Sequence, residues 1–85
     1  MVQIKQEFVD EMVAHAKADL PNECCGILAG PDNKVMKAYR MSNVEASPYR
    51  FSMDPGELGR VDSEAGDNDW ELLAIYHSHT GSEAY

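Results

Sequence analysis

The chain has 85 residues, of which 44% are hydrophobic and 26% charged, a composition typical of one small folded domain. Seven basic against fifteen acidic residues give a net charge of −8, and an acidic surface repels phosphates, so nucleic acid is excluded as the expected partner. No segment approaches the roughly 20 apolar residues that cross a bilayer, and the N-terminus lacks the apolar region of a signal peptide. We therefore expect a cytoplasmic protein with no membrane partner.

The first half of the chain predicts a helix followed by a β-hairpin. Between residues 5 and 20, apolar residues recur at the spacing of one buried helical stripe, namely Phe8, Val9, Met12, Val13, Ala16 and Leu20. Pro21 ends this helix. Residues 24–29 form a short apolar run that ends at a turn at residues 30–33. Apolar and polar residues alternate over residues 35–41 well enough to predict the second strand of a hairpin.

The second half predicts another helix and a buried strand. Residues 42–48 read as a loop and residues 49–53 as a further strand. Asp54 is a helix cap and Pro55 a first helical residue, which predicts a helix over residues 56–64. The unbroken apolar run at residues 72–76 is typical of a strand covered on both faces. Interspersed acids predict a solvated face: Asp62, Glu64, Asp67, Asp69 and Glu71. The order of elements indicates an α/β (α+β) layered fold.

Two histidines directly follow the last predicted strand. His77 and His79 are two residues apart, so in an extended chain their side chains share one face, while Ser78 points the other way. Imidazoles so placed can converge on one zinc ion with Zn–N bonds of about 2.0–2.1 Å. The alternative is a polar strand end in water.

Glu23 is a polar residue at the start of the first apolar strand. A carboxylate in such a place can act as a general acid/base, and the alternative is a solvated turn residue. Cys24 and Cys25 are neighbours, which disfavours a mutual disulfide, so we expect thiols that pack as small hydrophobes. His15, within the first helix, is expected to be a structural or surface residue.

Glu23-Cys24-Cys25-Gly26 and Tyr76-His77-Ser78-His79 together resemble the two halves of the JAMM (MPN+, Mov34) metalloprotease signature. In that family an early Glu is followed at long range by His-x-His, then by a Ser and an Asp. The resemblance covers nearly the whole chain and includes the opening helix and residues 21–30. Further matching positions are Asn43, Ser47-Pro48, Phe51 and Asp54-Pro55.

The resemblance implies a central β-sheet flanked by helices, layered as in cytidine deaminases. It implies that His77 and His79 are Zn²⁺ ligands and that Glu23 is the general acid/base. The family's Ser and Asp would fall past Tyr85, so we expect residues 1–85 to be the N-terminal part of a single domain that is incomplete at its C-terminus, inactive alone and able to pair with a second copy. The bacterial members that the chain resembles act on the C-terminal tail of a small ubiquitin-like sulfur-carrier protein.

Two other functions are compatible with parts of this pattern. A metal-free interaction scaffold of the same fold would need neither the histidines nor the absent Ser and Asp. A cytidine-deaminase-like zinc hydrolase would need a Pro-Cys-x-x-Cys ligand pair, which the chain lacks. The expected function is therefore zinc-dependent hydrolysis of a peptide or isopeptide bond, with the scaffold as the alternative.

Overall fold

The computed structural model describes residues 2–45 and 52–78 and confirms the predicted α+β fold class. Its elements, in chain order, are α1 (Gln6–Asp19), β1 (Cys25–Gly30), β2 (Lys37–Met41), α2 (Pro55–Asp67) and β3 (Glu71–His77). Neither helix within these described ranges has the length and apolar character needed to cross a membrane.

The three strands form one antiparallel sheet with the order β2-β1-β3. The predicted hairpin joins β1 to β2, pairing Cys25 with Met41 and Ala29 with Lys37. Its turn places Asp32 and Asn33 in the left-handed region, with φ of 51° and 62°, which Asp and Asn tolerate better than most residues. Strand β3 returns along the other side of β1, with an irregularity in register between Leu28 and Ala29.

The two helices lie on opposite faces of the sheet. On one face, α1 reaches β2 through an ion pair from Arg40 Nε to Glu11 Oε1, 2.6 Å long. On the other face, Val61 of α2 joins the buried cluster of Cys25, Ile27 and Met41. Because side chains alternate along a strand, β1 is covered from both sides, and all six of its residues are buried.

The prediction that residues 72–76 form the strand covered on both faces is wrong. Strand β3 lies at the edge of the sheet within the described residues, and Leu72 is 40% and Ile75 62% exposed. The doubly covered strand is β1, because it occupies the centre, where both helices pack. The apolar run therefore predicts the position of the strand correctly but not its burial.

Element boundaries also differ from the predictions. Two residues of the predicted helical stripe, Val13 and Leu20, are 48% and 59% exposed, whereas His15 is buried, and α1 ends at Asp19, one residue before Leu20. Strand β2 begins at Lys37 rather than Val35, and α2 extends three residues past the predicted end at residue 64. Most of the predicted strand 49–53 lies outside the described residues.

The N-terminus of α2 is capped as predicted. Asp54 Oδ2 accepts a hydrogen bond from the Glu57 N–H at 3.0 Å, and Pro55 is the first helical residue. Glu57 turns towards the sheet, where its two carboxylate oxygens accept from Ser42 N and Ser42 Oγ at 2.8 and 2.7 Å. These bonds lower the pKa of Glu57 and tie the helix to the chain after β2.

Replacing Asp54 with alanine should lower the free energy of unfolding by about 1 kcal/mol, because the Glu57 N–H loses its acceptor at the first turn. Chemical denaturation of both forms measures this difference. Asp62→Ala, on the exposed part of the same helix, serves as the control and should change stability by less than about 0.5 kcal/mol. Equal losses in the two variants would show that the cap contributes nothing specific.

Candidate active site

The buried carboxylate at the candidate site belongs to Glu23, which is only 5% exposed. It precedes β1 by two residues, immediately before Cys24, which is 1% exposed. A solvated turn residue would be exposed, so that alternative is wrong. Acidic residues are seldom fully buried unless they are paired, so the burial of Glu23 favours a functional role for this residue.

The end of β3 is bonded directly to the residue that follows Glu23. His77 is the register partner of Cys25. One residue further along, Cys24 N donates to Ser78 Oγ at 2.9 Å and Ser78 N donates to Cys24 O at 3.2 Å. The sheet thus brings Glu23 and His77, which are far apart in the sequence, to the same end of neighbouring strands.

Asn43 joins the same site from the chain that follows β2. Its Nδ2 donates to Glu23 O at 2.9 Å, while its Oδ1 accepts from Glu45 N and Ser52 N, each at 3.1 Å. An isolated antiparallel bridge between Asn43 and Met53 supports this corner. Asn43 therefore connects the acid/base candidate to the segments on either side of residues 46–51.

A buried polar network lies behind the site, on the α1 face of the sheet. His15, 3% exposed, has its Nδ1 2.8 Å from Tyr76 Oη and its Nε2 3.3 Å from Asp19 Oδ2. The His15 and Tyr76 rings meet edge to face at 82°. Burial raises the pKa of Tyr76, so its hydroxyl stays protonated. His15 is thus a structural residue that anchors α1 to the strand carrying His77.

His15 should make stability fall in mild acid. Burial holds the pKa of His15 below its ordinary value of 6.5, although Asp19 and Glu11 oppose this shift while Arg40 adds to it. The unfolded chain therefore binds more protons than the folded one below about pH 6.5, so the free energy of unfolding is highest above that pH and declines beneath it. Denaturation across this range measures the slope, and His15→Gln should reduce it. An unchanged slope would show that other groups cause the acid sensitivity.

Both cysteines are buried thiols, as predicted. Burial raises the pKa of Cys25 to about 11, which keeps it protonated and unreactive near neutral pH. Its Sγ lies 3.7 Å from Ser42 O. Cys25 therefore serves as a small core residue beside the site.

The metal ligands predicted from the sequence are placed only in part. His77 ends β3 and is exposed, whereas His79 lies outside the described residues. Within residues 2–45 and 52–78, no three His, Cys, Asp or Glu side chains are grouped so as to hold a metal ion. The zinc site and the catalytic assignment of Glu23 thus stay predictions, although Glu23 and His77 occupy one end of the sheet.

Three contributors to the site had no functional role in the sequence interpretation. These are Asn43, the hydroxyl of Ser78 and the ring of Tyr76. Asn43 has a detectable signal, because an Asn in a loop often accepts a hydrogen bond from the backbone N–H two residues on, as Asn43 does from Glu45. The other two depend on pairing across β1 and β3, which the local sequence does not encode.

Comparisons with known proteins identify the family of the chain. A family model described as "Prokaryotic homologs of the JAB domain" matches residues 5–85. The CysO-cysteine peptidase of Mycobacterium tuberculosis is 43% identical over 84 residues, covering 96% of this chain and 58% of that protein. The desampylase of Pyrococcus furiosus is 40% identical over 57 residues, which is 67% of this chain and 41% of that protein.

A solved structure supports the fold. The solution structure of a Desulfitobacterium hafniense protein is 36% identical, with a TM-score of 0.86, and the match covers 100% of this chain and 61% of that one. The chain thus spans about three-fifths of the mycobacterial relative and of this structural neighbour. Because the family model extends over nearly all of the sequence, the chain belongs to the prokaryotic JAB-domain family.

Proposed function

We propose that this chain carries the acid/base and part of the metal site of a zinc-dependent peptidase or isopeptidase. The observation that carries the proposal is the burial of Glu23, which lies two residues before β1 and therefore beside the end of β3 that bears His77. Family membership supports the same conclusion, because the relatives include one named as a peptidase and one named as a desampylase.

His77 and His79 would hold the zinc, together with ligands beyond the described residues. Imidazole nitrogens are common zinc ligands, and His77 is exposed at a strand end. When bound, zinc would supply Lewis acidity for activating water and polarising a carbonyl. Glu23 is the group in the described structure suited to the accompanying proton transfer.

Glu23 would take a proton from the attacking water on a carboxylate oxygen and return it to the departing amine. This assignment requires a carboxylate within hydrogen-bond reach of the reacting atoms. Its burial limits contact with bulk water, and the bond from Asn43 Nδ2 to Glu23 O holds the backbone from which the carboxylate extends.

The substrate we propose is the C-terminal tail of a small ubiquitin-like or sulfur-carrier protein. The names of the mycobacterial and archaeal relatives motivate this choice. An extended tail can add to a sheet edge through backbone hydrogen bonds. Within the described residues β3 is at such an edge and ends at His77, so a tail along it would lead towards the proposed zinc.

The test is cleavage of a carrier protein whose C-terminal Gly-Gly is extended by cysteine, followed by mass spectrometry. The native gene product should release the cysteine, lose activity with a chelator and regain it with added zinc. A carrier whose tail is shortened by two residues is the matched control and should not be cleaved. An intact substrate under all conditions, with the carrier bound nonetheless, would favour the scaffold function.

A further inference from the structure

The peptide unit between Glu23 and Cys24 is held from both sides by side chains of two other segments. Its carbonyl oxygen, Glu23 O, accepts from Asn43 Nδ2 at 2.9 Å, and its N–H, on Cys24, donates to Ser78 Oγ at 2.9 Å. Glu23 and Cys24 lie immediately before β1. Buried peptide groups need hydrogen-bond partners. The Asn43 and Ser78 side chains supply them for the C=O and the N–H at opposite edges of one planar peptide unit.

Each of the two side chains is itself fixed by further bonds. Asn43 Oδ1 accepts from two backbone N–H groups, Glu45 N and Ser52 N, which also defines which end of the amide is the donor. Ser78 N donates to Cys24 O at 3.2 Å, so the serine grips Cys24 by backbone and side chain together. The Asn43 amide and the Ser78 backbone are therefore both held next to the Glu23–Cys24 peptide.

We propose that Asn43 and Ser78 are positioning residues that form a clamp on the Glu23–Cys24 peptide and thereby aim the Glu23 carboxylate at the substrate. This inference rests on the proposed function of Glu23. A peptide plane fixed at both its C=O and its N–H fixes the backbone from which the Glu23 side chain extends. Because Ser78 lies directly beside His77 in the chain, the clamp also sets the separation between the acid/base and the strand end that carries His77.

The clamp predicts that Asn43→Ala and Ser78→Ala each lower kcat about 10- to 100-fold while changing KM less than about threefold, since misplacing a catalytic group by about 1 Å can cost 10²-fold. Ser78→Thr keeps the hydroxyl and should retain activity within about threefold of wild type. Asn68→Ala is the matched control and should leave kcat unchanged, because Asn68 Nδ2 also donates to a backbone carbonyl, that of Glu64, but at the end of α2.

The two alanine substitutions should not be additive. Both residues act on one peptide unit. The kcat of the double variant should therefore be within about threefold of the kcat of the less active single variant, and not lower by the product of the two losses. Losses that multiply would show that the two residues act on different parts of the site, and would overturn the clamp.

Amide hydrogen exchange at Cys24 tests the clamp without reference to catalysis. Exchange of the Cys24 N–H should accelerate at least about tenfold in Ser78→Ala and remain slow in Ser78→Thr. Unchanged exchange in Ser78→Ala, or unchanged kcat in both alanine variants of an enzyme that Glu23→Gln inactivates, would overturn the proposal. If Glu23→Gln is as active as wild type, the proposed function fails, and the Cys24 exchange rate alone decides whether the clamp exists.

Discussion

Glu23→Gln should lower kcat by about 10²- to 10⁴-fold in the native gene product, the range expected when a general acid/base is removed. Glutamine is close to glutamate in size and fits the same buried space, but it cannot accept and return a proton. Substrate binding depends on other groups, so KM should change little. Steady-state kinetics on a tailed carrier protein measure both constants.

Glu71→Gln is the matched control for this change. Glu71 begins β3, at the opposite end of the strand from His77, and is exposed. Its replacement should leave kcat within about twofold of wild type, in keeping with the small effects of most surface substitutions. A Glu23→Gln enzyme with wild-type kcat would exclude Glu23 as the acid/base.

Gly26→Ala should destabilise the fold by about 3 kcal/mol, at the upper end of the usual cost of overpacking. A Cβ at Gly26 would overlap the ring of Tyr76, its cross-strand partner. Moving that ring would also disturb the 2.8 Å bond between Tyr76 Oη and His15 Nδ1. Thermal or denaturant unfolding measures the loss.

Gly59→Ala, the same substitution at another glycine, should stabilise the fold instead. Gly59 is exposed within α2, and no atom of the described residues lies within 4 Å of the position that its Cβ would take. Alanine there should raise the free energy of unfolding by about 0.5–1 kcal/mol, because glycine is unfavourable in a helix interior. A stable Gly26→Ala variant would show that Tyr76 does not pack over Gly26 as described.

The local signals in the sequence were sufficient for most of the fold. Apolar spacing predicts helix α1, the turn at residues 30–33 predicts the hairpin, and Asp54 and Pro55 predict the start of α2, whose cap the structure confirms. Each of these features depends on residues close together in the chain. Family resemblance supplied the pairing of Glu23 with His77, which no local pattern encodes.

The errors arise where tertiary packing decides the outcome. Ile75 lies in an apolar run yet is 62% exposed, because β3 is at the sheet edge in the described structure. The sequence leaves open whether His15 is a structural or a surface residue, and the structure shows it buried, with its Nδ1 2.8 Å from the hydroxyl of Tyr76 on a distant strand. The roles of Asn43 and Ser78 likewise depend on contacts with residues 23 and 24 that only the folded chain brings together.

Zinc titration by calorimetry on the native gene product, comparing wild type with His77→Ala and Glu23→Gln, tests the central claim most directly. We predict that wild type and Glu23→Gln bind one zinc ion per chain with similar affinity, whereas His77→Ala loses at least about 100-fold in affinity, because a ligand is removed only in the latter. Zinc binding by His77→Ala at wild-type affinity would contradict the proposed metal site and with it the assignment of this chain as part of a zinc-dependent peptidase.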